Sequence, residues 1–336
     1  MSVGIPVYPF HSSWKEAMDR QVVAVIGLGT MGHGIAQRFA MAGHHVCCYD
    51  ESDELCESLL DRVRSNLLPM VEMGLVLEDS VKPTLEGIHL CDSLGESMAN
   101  ATWATEAISE DLDAKRRVFQ EMEQASDSDA ILASNSSSFP VSQSAAHLKH
   151  PERAVLAHWF NPPQIIPVVE VVPGSRTSPV TVERTMALLK SIGQQPVHIK
   201  SELPGFLVNR VQIAMYREIW DLVDRGVVTA EEMDTAIRGS MGMRLAALGP
   251  LAINDFAGLD ITSTVYRNLV PDLRSDQQLP EFISALVKQG CYGAKTRQGI
   301  FSYTSETLNA RQGERDQRYL ELLRLMQQED TQSEEN

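Results

Sequence analysis

The chain has 336 residues, 43% of them apolar and 22% charged, a balance that excludes wholesale disorder and supplies an ample core. A formal net charge of −16 argues against nucleic acid or an anionic membrane as the main partner. Five cysteines, an odd number with no C-x-x-C pair, exclude a disulfide framework and a zinc or other metal site, and a reducing cytoplasm is the expected compartment. No apolar run approaches the ~20 residues that a membrane helix needs.

Residues 1–20 mix Pro6, Pro9, His11 and Asp19 without the basic start and apolar stretch of a signal peptide, and read as an N-terminal extension. From 21 onward short apolar runs alternate with amphipathic stretches. Val22–Ile26 is β-branched, continuous and closed by Gly27, which predicts a buried strand. A helix follows over 31–42, then a strand over 45–49 ending on Asp50, and a long helical stretch from Ser52. Strands over 88–91, 101–105, 130–133 and 154–159 continue the series, with a helix over 111–125 between them. This alternation implies parallel pairing and an α/β, doubly wound Rossmann-type sheet, extended by strands at 168–172 and 197–199 around a helix at 180–192.

After Lys200 the pattern becomes all-helical. Pro204-Gly205 breaks the chain, a helix over 206–225 is capped by Gly226, and Thr229 with Glu232 has capping-box spacing. The expected organisation is a Rossmann-type domain over 21–200, a helical domain over 201–325, and a disordered acidic tail over 326–336.

Gly27-Leu28-Gly29-Thr30-Met31-Gly32 lies between a predicted strand and a predicted helix. In that context the first glycine permits a tight turn, the second lets backbone approach a pyrophosphate, and the third lets helix pack on strand. The helix N-terminus offers free N–H groups to the phosphates. Asp50, eighteen residues past Gly32, would accept hydrogen bonds from the ribose hydroxyls and repel a 2′-phosphate, which favours NAD over NADP. His33 inside the loop reads as incidental.

Three further segments fall at strand ends or just past the domain break: Ser134-Asn135-Ser136-Ser137-Ser138, His158-Trp159-Phe160-Asn161-Pro162-Pro163 with Glu170 twelve residues after the histidine, and Gly205-Phe206-Leu207-Val208-Asn209-Arg210. With the glycine loop and a late Gly293-Ala294-Lys295-Thr296 stretch, these segments resemble the L-3-hydroxyacyl-CoA dehydrogenase family over 22–303, the lambda-crystallin and L-gulonate dehydrogenase-like branch included. Arg297 and Ile300 depart from the pattern of the late stretch. The resemblance implies that His158 is the base for a hydroxyl proton, Glu170 its partner, and Ser137 and Asn209 the hydrogen-bonding groups for the substrate oxygen. An imidazole suits the first role because it titrates near neutrality, at ~6.5 when unperturbed. By the same resemblance Glu110, Lys115, Asn161 and Lys295 lie near the cofactor, and the protein is a homodimer.

The family's default substrate is a 3-hydroxyacyl-CoA oxidised to the 3-oxo compound. Members that use CoA carry a basic patch on the helix after the ribose acid, where this chain reads Glu72-Met73-Gly74-Leu75. From Asp50 to Lys82 there are three basic residues (Arg62, Arg64, Lys82) against nine acidic ones. A small free hydroxy acid or alcohol, of the L-gulonate or vitamin B6 breakdown type, is therefore the alternative. Two other readings are weaker. The β-hydroxyacid dehydrogenases share the glycine loop but use a lysine in the helix after Gly205, which starts here without one, and a non-catalytic crystallin role would not require His158 and Glu170 together.

Overall fold

The computed structural model describes residues 20–334, with side chains described through 326; the extension expected over 1–20 lies, but for Arg20, outside the described residues. Eight strands form one sheet: β1 (Val22–Ile26), β2 (His45–Tyr49), β3 (Ile88–Leu90), β4 (Trp103–Glu106), β5 (Ile131–Ser134), β6 (Ala154–Trp159), β7 (Val168–Pro173) and β8 (Gln195–His198). Their order is β3-β2-β1-β4-β5-β6-β7-β8, so the chain starts in the middle and winds outward in both directions. The crevice at such a reversal of strand order is where open α/β sheets bind ligands.

Alternation along each strand feeds two cores, one on either face. Val23 and Val25 join Ile35, Phe39 and Val63, whereas Ala24 and Ile26 join Phe119, Met122 and Leu132. Burial on both faces is why the strands read as continuous apolar runs. Helix α1 (Gly32–Met41) buries Ile35, Ala36, Phe39 and Ala40 as one stripe, and ends before Gly43, whose φ of +87° needs no side chain. The long stretch after Ser52 splits into a short turn of helix and α2 (Leu59–Glu72). Helix α3 (Leu112–Ala125) starts on Asp111, whose carboxylate accepts from the Ala114 N–H at 2.7 Å.

The pairing between β6 and β7 departs from the expected parallel arrangement. These two strands run antiparallel, and β8 then pairs parallel with β7. Only eight residues separate Trp159 from Val168, too few for the crossover of a dozen or more that parallel neighbours require. Strand and helix ends elsewhere fall within a few residues of the sequence expectation.

The chain divides into two units after Leu207; the second runs Val208–Arg315, and the stretch from Asp316 groups with the first. The second unit is helical, with α4 (Val208–Asp224) and α5 (Ala230–Ile237) its opening pair. Helix α4 begins at Val208 rather than at 206. Thr229 and Glu232 form the expected capping box on α5. Arg274 ties this unit internally, pairing with Asp221 at 3.2 Å and Asp276 at 2.8 Å. Helix α6 (Ser305–Glu334) extends into the stretch expected to be a disordered tail, and ahead of that stretch Leu320 and Leu323 bury in the first unit's core. That burial gives the acidic, polar helix an anchor which local composition does not reveal.

Candidate active site

The glycine loop is built by backbone geometry. Gly27 has φ +91°, and a Cβ there would sit 2.8 Å from the Ala107 carbonyl group. A Cβ on Gly32 would meet the Gly27 oxygen at 1.8 Å, so α1 lies directly on the turn. By contrast, a Cβ on Gly29 would have nothing within 4 Å. The three glycines thus divide into turn, open face and close packing, the division that a pyrophosphate site needs. Helix α1 has no side-chain cap at Met31, which leaves first-turn N–H groups available to an anion. Leu28 contributes only backbone, its side chain being fully buried, while Thr30 is exposed and Met31 packs against the core.

Asp50 stands at the end of β2, half-buried. One carboxylate oxygen accepts from the Leu28 N–H at 2.6 Å and the other from the Ser52 N–H at 2.8 Å. Four lone-pair positions on a carboxylate leave room for ribose hydroxyls beside these two bonds. His33 donates from Nδ1 to the Gly29 carbonyl at 2.8 Å, which fixes the loop from below; burial holds its imidazole below the usual value, offset in part by that bond. Arg62 donates to the carbonyls of Leu28 (2.8 Å) and Leu55 (2.8 Å).

Antiparallel pairing of β6 with β7 places His158 directly opposite Glu170. Side chains opposite each other in such a ladder share a face. His158 Nδ1 donates to Glu170 Oε2 at 2.8 Å, with both residues buried. Because an ionised carboxylate can only accept, Nδ1 carries the proton and Nε2 keeps its lone pair. Glu170 Oε1 is held in turn by the Leu207 N–H at 3.0 Å. The imidazole ring lies between Phe160, at 4.7 Å between centroids, and Phe206, at 5.5 Å. Phe206 has φ +49°, a conformation that a bulky residue adopts only when held there, and its ring is fully buried. The Gly205-Phe206-Leu207 break therefore seats the dyad from one side. Sequence reasoning placed Phe206 in a helix and missed this role.

The serine segment leaves β5 at the same end of the sheet. Asn135 Oδ1 accepts from the Trp159 N–H at 2.9 Å, linking the segment to the residue after His158. Ser137 is exposed there, and Ser136 is buried. Glu110 accepts from Ser136 Oγ at 2.6 Å and from the Ser138 N–H at 2.9 Å. Partial burial would push its carboxyl up, but these bonds and Lys115 hold it below the usual carboxylate value. Lys115 is 1% exposed and sits between Glu106 (2.9 Å) and Glu110 (3.3 Å). Glu106, at the end of β4, is a buried acid that sequence reasoning did not single out. Burial raises its carboxyl above the usual value, against the pull of Lys115 and of the Ser134 hydroxyl.

Asn161 is exposed at the head of the β6–β7 loop. Asn209 and Lys295 fall in the second unit, the first in the opening turn of α4 and the second over the Tyr292 ring at 4.9 Å. The structure thus pairs His158 with Glu170 across β6 and β7, and ties the serine segment to β6 through Asn135. Among the described residues no group of His, Cys, Asp and Glu forms a metal site, and no helix is long and apolar enough to cross a membrane.

Comparison with known proteins agrees with this geometry. The sequence model of the 3-hydroxyacyl-CoA dehydrogenase NAD binding domain matches residues 22–202, and that of the C-terminal domain matches 205–303. The chain is 36% identical to 5-formyl-3-hydroxy-2-methylpyridine 4-carboxylate 5-dehydrogenase of Mesorhizobium japonicum, across 91% of this chain and 98% of that one. It is 33% identical to lambda-crystallin of Oryctolagus cuniculus, across 80% and 85%, and 34% identical to a probable 3-hydroxybutyryl-CoA dehydrogenase of Bacillus subtilis, across 86% and 100%. A solved structure of the pyridine 4-carboxylic acid 5-dehydrogenase, described as an NAD+ dependent dismutase, superposes with a TM-score of 0.86 at 34% identity, covering 92% of this chain and 99% of the other. With family models matched from 22 to 303 and relatives of this identity, the chain belongs to the 3-hydroxyacyl-CoA dehydrogenase family as an NAD-dependent dehydrogenase acting on hydroxyl groups.

Proposed function

We propose that the protein oxidises the hydroxyl of a small free hydroxy acid or alcohol to a carbonyl, without CoA. The chemistry rests on the His158–Glu170 pair. His158 Nε2, the nitrogen left with a lone pair, takes the hydroxyl proton, and Glu170 stabilises the imidazolium that results. Ser137 hydrogen-bonds the substrate oxygen as it passes from hydroxyl to carbonyl, with Asn209 of the second unit in the same role by family resemblance. NAD, when bound, supplies the hydride acceptor; Gly29, the first turn of α1 and Asp50 would hold it.

The absence of CoA is supported by one observation. Of the three basic residues from Asp50 to Lys82, Arg62 is claimed by loop carbonyls, and Arg64 and Lys82 stand in exposed pairs with Asp61 at 2.9 Å and Glu86 at 3.6 Å. A CoA phosphate there would have to compete for them against a local excess of carboxylates. Steady-state turnover of 3-hydroxybutyryl-CoA against free 3-hydroxybutyrate and a hydroxymethyl-pyridine carboxylate tests the reading. A free substrate should lead in kcat/KM by about tenfold or more, ~1.4 kcal/mol. A thioester that leads by the same margin overturns it.

The second reading, a 3-hydroxyacyl-CoA substrate, is favoured by the family models matched along the chain. It requires a Michaelis constant for the thioester that rises with salt, and one that Met73→Lys lowers. Assembly is proposed as a homodimer. On the single chain Val211 is 66% exposed, Leu251 80% and Phe256 83%, all in the second unit. Light scattering should report two chains of 37.2 kDa at micromolar concentration, and a monomer contradicts this.

A further inference from the structure

Between β8 and α4 the chain makes a crossing, residues 199–207, that is tied at three points to β7, the strand carrying Glu170. It leaves the sheet at Ile199, whose N–H donates to the Val171 carbonyl at 2.9 Å. It returns at Leu207, whose N–H donates to Glu170 Oε1 at 3.0 Å. Midway, the half-buried Glu202 accepts at Oε1 from the Ser142 N–H at 2.8 Å, and its other oxygen accepts from the Ser142 hydroxyl. Ser142 is itself referenced to β7. Its Oγ accepts from the Ser175 N–H at 3.0 Å, just past the strand end, and a Cβ on Gly174 would stand 2.9 Å from that Oγ.

Between Glu202 and Leu207 the backbone holds a conformation that it would not keep unaided. Gly205 has φ +73° and Phe206 +49°, and the Phe206 N–H closes a tight turn on the Leu203 carbonyl at 3.1 Å. A bulky residue stays in the left-handed region only where its surroundings over-determine it. Burial of the Phe206 ring supplies a constraint on the far side of the turn, and Glu202 supplies one on the near side. We propose that Glu202 is a positioning residue of the His158–Glu170 pair: by gripping Ser142 it fixes the entry to the turn, so that Phe206 stays left-handed and the Leu207 N–H stays aimed at Glu170. The proposal rests on that pair being the base for the hydroxyl proton. Glu170 is held on one oxygen by the Leu207 N–H and on the other by the imidazole N–H, and it turns only when one of these bonds breaks. Release of the crossing frees the first bond, and the carboxylate and imidazole then drift together. Near-attack geometry tolerates little drift, and a misplacement of ~1 Å can cost ~10²-fold in rate.

The test uses the full chain with Glu202→Ala and Glu202→Gln, each alone and on a Glu170→Ala background. Well below its Tm, Glu202→Ala should lower kcat about tenfold or more, leave KM within about threefold, and speed hydrogen exchange at the Leu207 amide. The glutamine keeps an acceptor for the Ser142 N–H and can donate to its hydroxyl oxygen, so Glu202→Gln should stay within about threefold of wild type in kcat. On the Glu170→Ala background Glu202→Ala should cost less than about twofold, since a group that acts only through Glu170 has nothing left to act on. Unchanged kcat in Glu202→Ala overturns the proposal, as do losses that multiply with Glu170→Ala, equal losses in the alanine and glutamine variants, or a Leu207 amide as protected without Glu202 as with it. A His158→Ala protein that keeps its activity places the failure in the base assignment instead, and exchange at Leu207 still reports whether Glu202 holds the crossing.

Discussion

The glycine loop and the β6–β7 dyad sit at the same edge of one sheet and are specified in opposite ways. In the loop, function comes from missing side chains: Gly29 opens a face, and Gly27 and Gly32 permit contacts that any Cβ would block. In the dyad, function comes from side chains held on every side, His158 by Glu170, Phe160 and Phe206, and Glu170 by the Leu207 N–H. A site made of backbone is intolerant of added atoms, whereas a site made of side chains is intolerant of lost ones.

The sharpest break in that comparison is between two glycines three residues apart. Gly32→Ala puts a methyl 1.8 Å from the Gly27 oxygen and should destabilise the first unit by about 1–3 kcal/mol or more, read as a lowered Tm. Gly29→Ala has free space and should keep its Tm while weakening NAD binding, measured by titration calorimetry. Equal Tm losses in both would contradict the division of roles. Next in size, Asp50→Ala should narrow a preference for NAD over NADP that we expect at about tenfold, ~1.4 kcal/mol, in steady-state kinetics. Wild-type protein that uses NADP as well as NAD would contradict the ribose assignment.

The smallest expected effect is on pH. His44 is buried, its Nδ1 accepts from the Gln21 N–H at 3.2 Å, and burial lowers its proton affinity from the usual 6.5. His33 is shifted the same way by burial. The unfolded chain therefore takes up these protons first as pH falls through 6.5, so their contribution is full above that value and is lost toward the lowered folded values. Between pH 7.5 and 5.5 the Tm should drop by roughly 2–4 °C, and by less in His44→Asn. A Tm that rises over that interval contradicts the assignment.

Much of this is legible in the sequence. Strand β1, the three glycines, Asp50 and the capping box at Thr229 are local signals, each set by residues within one element or one turn. The pairing of β6 with β7 was half legible. The twelve-residue offset from His158 to Glu170 did not say which way the strands run, although the eight-residue connection excluded a crossover helix. Glu106, Phe206 and the docking of α6 were not legible, because each depends on a partner distant in sequence: Ser134 and Lys115 for the first, His158 for the second, the first unit's core for Leu320 and Leu323. Arg62 shows the same limit in reverse. It counts in the sequence as one of three basic residues facing nine acidic ones, but carbonyls of the glycine loop claim its guanidinium.

The account stands on His158 and Glu170 working as one unit, and a double-mutant cycle in kcat measures that directly. His158→Ala should lose ~10²–10⁴-fold, the usual span for a general base. Adding Glu170→Ala should then cost little more, since an acid that acts only through the imidazole has nothing left to hold. Losses that multiply, or a His158→Ala enzyme that keeps its activity, would contradict it.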